Sequence, residues 1–135
     1  MDRNTFLRRM LAGAFTFGLP ASPALAQPGP GPSPARTIGV SLLTQQHPFY
    51  LELAQAMQQE AARQGLKLDL SIANQDLGKQ ISDVEDFVSK KVDAIILSPV
   101  DSRGVKAAVL KAAAARIPVI TVDIAASGVE VASQR

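Results

Sequence analysis

Four short apolar runs, separated by three amphipathic segments, leave this chain little choice of fold. The runs are "TIGVSLL" from Thr37, "KLDLSI" from Lys67, "DAIILSP" from Asp93 and "PVITVD" from Pro118. Each has the β-branched character of a strand and is too short for a core helix. Between the first two, Pro48 to Gln64 sets Tyr50, Leu53, Met57 and Ala61 at helical spacing. Gly78 to Lys91 does the same with Ile81, Val84 and Val88, with Phe87 beside them, and Ser102 to Arg116 with Val105, Val109 and Ala112. Pro48 suits a first helical turn, and Gly65 ends the first helix. A strand roughly every 27 residues with a helix between is the rhythm of a parallel sheet covered on both faces. The expected architecture is α/β: a Rossmann-like open parallel sheet, strand order 2-1-3-4, with right-handed crossovers.

The residues before Thr37 are of another kind. "MDRNTFLRRM" sets Arg3, Arg8 and Arg9 against Asp2; the uncharged stretch "MLAGAFTFGL" follows, then "PASPALAQ" with Ala24 and Ala26. A charged start, a short apolar run and an A-x-A site read as a secretory signal peptide over residues 1–26. The run is shorter than the roughly 20 apolar residues a bilayer span requires, and Gly13, Gly18 and Pro20 interrupt a core helix. Arg8-Arg9 raises twin-arginine export, with the general secretory route as the default. The expected location is therefore the periplasm.

The formal charge of +2 belongs to that segment. Taking three Arg and one Asp from totals of 14 basic and 12 acidic residues leaves eleven of each. The remainder is formally neutral and has no basic cluster interleaved with aromatics, so nucleic acid is not an expected partner. There is no cysteine, hence no disulfide and no thiolate chemistry. "QPGPGPSPAR", residues 27–36, is a Pro/Gly-rich tether of extended type, and the regular region spans 37–135.

The two edges of such a sheet carry different residues. Helix-to-strand links are plain: Gly65, Lys91-Val92, Ile117-Pro118. Strand-to-helix links hold Gln45, Gln46 and His47; Asn74, Gln75 and Asp76; Ser98, Asp101 and Ser102; and Asp123. Ligands of open α/β sheets bind beyond the carboxyl ends of the strands. Part of this polarity is ordinary helix capping, for which Asp76, Asp101 and Ser102 are suited. The adjacent aromatics Phe49 and Tyr50 are less easily accounted for, since the chain has only six aromatics, five Phe and one Tyr. Tyr50 falls on the core stripe of its helix, which leaves Phe49 for the open edge.

Several enzyme classes lack their motifs. No G-x-G-x-x-G follows the first strand, and neither a P-loop nor a G-x-S-x-G elbow occurs. One His and no Cys argue against zinc, and the loop after the first strand offers Thr44-Gln45-Gln46 where a magnesium phosphotransfer site would place a carboxylate. Neither cofactor nor metal is expected. Amides, a carboxylate and an aromatic face suit sugar hydroxyls and the C–H face of a sugar ring.

"TIGVSLLTQQHPFYLELAQAMQQEAARQG" resembles the first βα unit of the ribose-type periplasmic sugar-binding proteins of ABC importers. Their fold is shared with the ligand cores of LacI-type repressors. "DAIILSPVDSRGVKAAVLKAAAARIPVITVDIA" is similar to the family's third and fourth units. The resemblance covers Thr37 to Arg135. It implies the N-terminal lobe of a two-lobed periplasmic binding protein, acting as a monomer with a sugar or polyol ligand and an inner-membrane permease. It also implies ligand-binding roles for His47, Phe49, Tyr50, Ser98, Asp101 and Asp123, with Phe49 and Tyr50 as the aromatic pair and Asp123 as the hydroxyl-gripping carboxylate. His47 stands where the family usually has Asn, and Ser98 replaces a frequent Asn or Asp. Ile124 stands where Arg is usual, so a forked cationic donor is exchanged for an aliphatic wall and a ligand other than ribose is implied. The chain stops where the family approaches its hinge, so an N-terminal fragment with weak binding and an exposed sheet edge is expected. The alternatives are a sensor or repressor lobe of the same fold and a small α/β enzyme.

Overall fold

The computed structural model describes residue 31 and residues 33–134. The signal-peptide segment and most of the tether lie outside the described residues. Five strands form one parallel sheet: β1 (Thr37–Leu42), β2 (Lys67–Ile72), β3 (Ala94–Leu97), β4 (Val119–Thr121) and β5 (Ser133–Gln134). Their order is β2-β1-β3-β4-β5. The first four keep the expected order, and the two-residue β5 adds an edge that the strand pattern does not announce.

Three helices join them: α1 (Pro48–Arg63), α2 (Leu77–Ser89) and α3 (Lys106–Ala114). Alternation along β1 sends its residues to opposite faces. Val40 and Leu42 pack with Tyr50, Leu53 and Met57 of α1. On the other face α2 and α3 bury Val84, Phe87, Val109 and Ala112 against Ile95 and Leu97 of β3 and Val119 of β4. Gly39 of β1 faces that second layer. A Cβ at Gly39 would lie 2.6 Å from the Phe87 ring, so the absent side chain is what lets the ring rest on the strand.

Each helix ends the same way. The N–H groups of Gly65 and Leu66 donate to the carbonyls of Ala62 and Ala61; Lys91 and Val92 donate to Val88 and Phe87; Arg116 and Ile117 donate to Ala113 and Ala112. These are three Schellman motifs, with Gly65, Lys91 and Arg116 at φ 68°, 55° and 59°. The apolar residue that follows, Leu66, Val92 or Ile117, turns the chain back to the sheet.

The third helix differs from the sequence reading. Spacing puts its start at Ser102, but the structure begins it at Lys106. Asp101 Oδ1 accepts from the N–H groups of Arg103 and Gly104, closing a separate turn. Val105 then precedes the helix without any side-chain cap. The second helix, by contrast, has Asp76 as its N-cap, accepting from Lys79 N at 3.0 Å.

Candidate functional site

The carboxyl edge of β1, β3 and β4 gathers five side chains. His47 is the N-cap of α1: its Nδ1 accepts from Phe49 N at 3.1 Å. That bond requires an unprotonated Nδ1, so the neutral ring carries its proton on Nε2 and offers a donor there. Pro48 fills the first helical position, where no donor is missed. The next two residues then diverge by helical geometry. Phe49 remains 45% exposed, whereas Tyr50 is 5% exposed and joins Val40 and Leu42 in the core. Their rings meet edge to face, with centroids 5.1 Å apart and planes at 76°.

The Tyr50 ring is apolar packing, but its hydroxyl is the centre of the site. It donates to Asp123 Oδ2 at 2.6 Å and lies 3.2 Å from Ser98 Oγ. Ser98 is fully buried just past β3. Burial, and then the bond to the Asp123 carboxylate, raise the Tyr50 phenol above its ordinary value, against a smaller opposing effect from Ser98. The phenol therefore stays protonated through neutral pH and acts as a donor.

Asp123 is exposed and lies just past β4. Its φ is 66°, and Ile124 N donates to the Val122 carbonyl at 2.8 Å, which marks a γ-turn centred on Asp123. Ile124 beside it is half-buried. An open depression of about 380 Å³ is lined by His47, Phe49, Tyr50 and Asp123. A second depression of about 330 Å³ lies along α1, with Ile38, Met57, Leu68 and Ile96 in its lining. It holds none of the candidate residues.

Of the six candidates, His47, Phe49, Tyr50, Ser98 and Asp123 come together. Asp101 stands apart, its Oδ1 engaged by Arg103 N and Gly104 N in its own turn. One residue beneath the edge was not anticipated. Gln80 of α2 is fully buried, donates to the Ser98 carbonyl at 2.9 Å and accepts from Val100 N at 2.7 Å. The available signal was a polar residue on the inward stripe of α2, between Leu77 and Val84. No group of three or more His, Cys, Asp or Glu among the described residues is placed to hold a metal ion.

A parallel α/β lobe with an aromatic face, buried hydroxyls and an accessible carboxylate at its carboxyl edge has the build of a solute-binding lobe. The chain belongs to the periplasmic binding protein family: residues 38–134 match the periplasmic binding protein domain. The ribose import binding protein RbsB of Bacillus subtilis (strain 168) is 40% identical over 87 residues, 64% of this chain and 28% of that protein. RbsB of Escherichia coli (strain K12) is 33% identical over 97 residues, 72% of this chain and 33% of that protein. Among solved structures, a glycerol-bound ABC transporter solute binding protein from Mycobacterium smegmatis is 42% identical at a TM-score of 0.69, covering 74% of this chain and 34% of its own. A myo-inositol-bound solute binding protein from Bacillus halodurans C-125 is 34% identical at 0.67, covering 73% and 34%. The chain thus spans about a third of the length of these relatives.

Proposed function

We propose that the chain supplies one face of a sugar or polyol site in the binding component of an ABC-type importer. The observation that carries this reading is the exposed Phe49 ring beside a carboxylate already oriented by Tyr50. In this reading Phe49 covers the C–H face of a ring. Asp123 Oδ1, with no hydrogen bond among the described residues, accepts from ligand hydroxyls. His47 Nε2 donates, and Ile124 forms an apolar margin. An opposing lobe closes over the ligand by a hinge. The names of relatives support an import role, and the glycerol and myo-inositol bound by two of the structures match a neutral, hydroxyl-rich ligand. The site binds and releases without catalysis. Delivery to a permease requires export, for which residues 1–26 supply the signal, and N-terminal sequencing of the exported product should begin at Gln27.

The experiment is calorimetric titration of neutral pentoses, hexoses and inositols, paired with thermal melts. Phe49→Ala removes an aromatic contact and should weaken binding by about 2 kcal/mol, roughly thirty-fold. The melting temperature should hold, because the ring contributes little to the core. A large drop in melting temperature with unchanged affinity in the folded fraction would remove Phe49 from the site.

A further inference from the structure

The candidate edge does not stand on its own hydrogen bonds. Beneath it, a line of polar side chains crosses from one helical layer to the other. Lys79 Nζ contacts Asp83 Oδ1 at 2.9 Å and Ser71 Oγ at 2.7 Å. Ser41 Oγ donates to Asp83 Oδ2 at 3.0 Å, and Gln80 Nε2 lies 3.5 Å from the same hydroxyl. Gln80 then reaches the turn after β3 with both ends of its carboxamide: Nε2 donates to the Ser98 carbonyl and Oε1 accepts from Val100 N. Ser98 turns its hydroxyl to the opposite face, where Tyr50 and Asp123 complete the line.

Gln80 is fully buried on the apolar stripe of α2, where an aliphatic residue would serve packing equally well. A carboxamide there differs in one respect: it has a donor and an acceptor at a fixed separation. The turn at Ser98–Val100 presents a carbonyl and an N–H that match them. Without that match the buried Ser98 carbonyl and the half-buried Val100 N–H would both lose their partner, and the turn would move toward water to satisfy them. The Ser98 hydroxyl would move with it.

We propose that Gln80 is a positioning residue of the candidate site: its carboxamide ties α2 to the turn after β3 and so sets the Ser98 hydroxyl against the Tyr50 hydroxyl, which in turn donates to Asp123. Its value to a ligand rests on the function proposed above, but its action on Tyr50 does not, and the two fail separately. Preorganised first contacts supported from behind are what precise binding requires.

The chain contains its own reporter, one Tyr and no Trp. Tyrosine emission is quenched when the excited phenol passes its proton to a bonded carboxylate, so the parent chain should emit weakly at neutral pH without ligand. Asp123→Asn should raise the emission per folded molecule. Gln80→Met, which keeps the volume and loses both bonds, should raise it toward the Asp123→Asn level. Adding Gln80→Met to Asp123→Asn should give no further rise, because the carboxylate that takes the phenol's proton is already gone. Folded fractions are fixed by circular dichroism. Unchanged or lower emission from folded Gln80→Met overturns the proposal, and so does a full additional rise in the double variant. Should Gln80→Met not fold, hydrogen exchange in the parent chain decides. The Val100 amide should exchange as slowly as the β3 amides, and exchange as fast as exposed loop amides overturns the tie.

Discussion

At Asp123 the chain adopts a positive φ of 66° that a non-glycine residue reaches only at a cost. A residue held in such a region costs on the order of 1–3 kcal/mol, and such positions cluster where a side chain must be aimed. Here the turn sends the carboxylate back to the Tyr50 hydroxyl. The sequence makes Tyr50 a core residue by helical spacing and leaves Phe49 to the edge, which is where the rings are found. It could not show that the one phenol serves core and site at once, because spacing fixes a ring's face and not the reach of its hydroxyl. Capping was open to Asp101 from the sequence, but only backbone geometry shows its carboxylate turned into its own loop. The raised Tyr50 phenol gives a pH test. A group whose value is raised by folding adds stability that is complete below its unfolded value, here the ordinary 10.0, and is lost as pH rises through the folded value. Urea melts in increasingly alkaline buffer should show the parent losing stability faster than Tyr50→Phe above that point. Parallel curves for the two chains would mean that the phenol is not held by the fold.

Among the elements, strand and helix order was legible because the periods of two and 3.6 alternate cleanly. The boundaries were less so. α3 starts late because the Asp101 turn intervenes, and no spacing rule distinguishes such a turn from a first helical turn. The repeated helix ending was hidden for a different reason. Only Gly65 of the three left-handed positions is a glycine; Lys91 and Arg116 take the same conformation with a Cβ. A left-handed residue with a Cβ costs roughly 1 kcal/mol more than glycine in that conformation. Neither side chain forms a hydrogen bond or ion pair among the described residues. Lys91→Gly and Arg116→Gly should therefore each raise stability by about 0.5–1 kcal/mol in urea unfolding. Gly39→Ala runs the other way. Its Cβ would meet the Phe87 ring at 2.6 Å, and overpacking there should cost about 1–3 kcal/mol. Equal stabilities for Gly39→Ala and the parent would mean that the ring has room to move aside.

For the molecule as a whole, the carboxyl edge is the proposed working surface and the rest of the lobe its support. α1 brings Phe49 and Tyr50 to that edge, β3 and β4 bring Ser98 and Asp123, and α2 ties the turn after β3 from below. The chain spans about a third of its relatives' length, and under the proposed function it supplies one of two faces, for which weak binding is expected. The most direct test is therefore one that reads weak binding residue by residue: amide shift mapping by nuclear magnetic resonance during titration with a neutral sugar or inositol. The proposed site predicts saturable shifts concentrated at His47, Phe49, Tyr50, Ser98 and Asp123. Shifts confined to the depression along α1, at Ile38, Met57, Leu68 and Ile96, or an absence of saturable shifts across the whole panel of ligands, would contradict it.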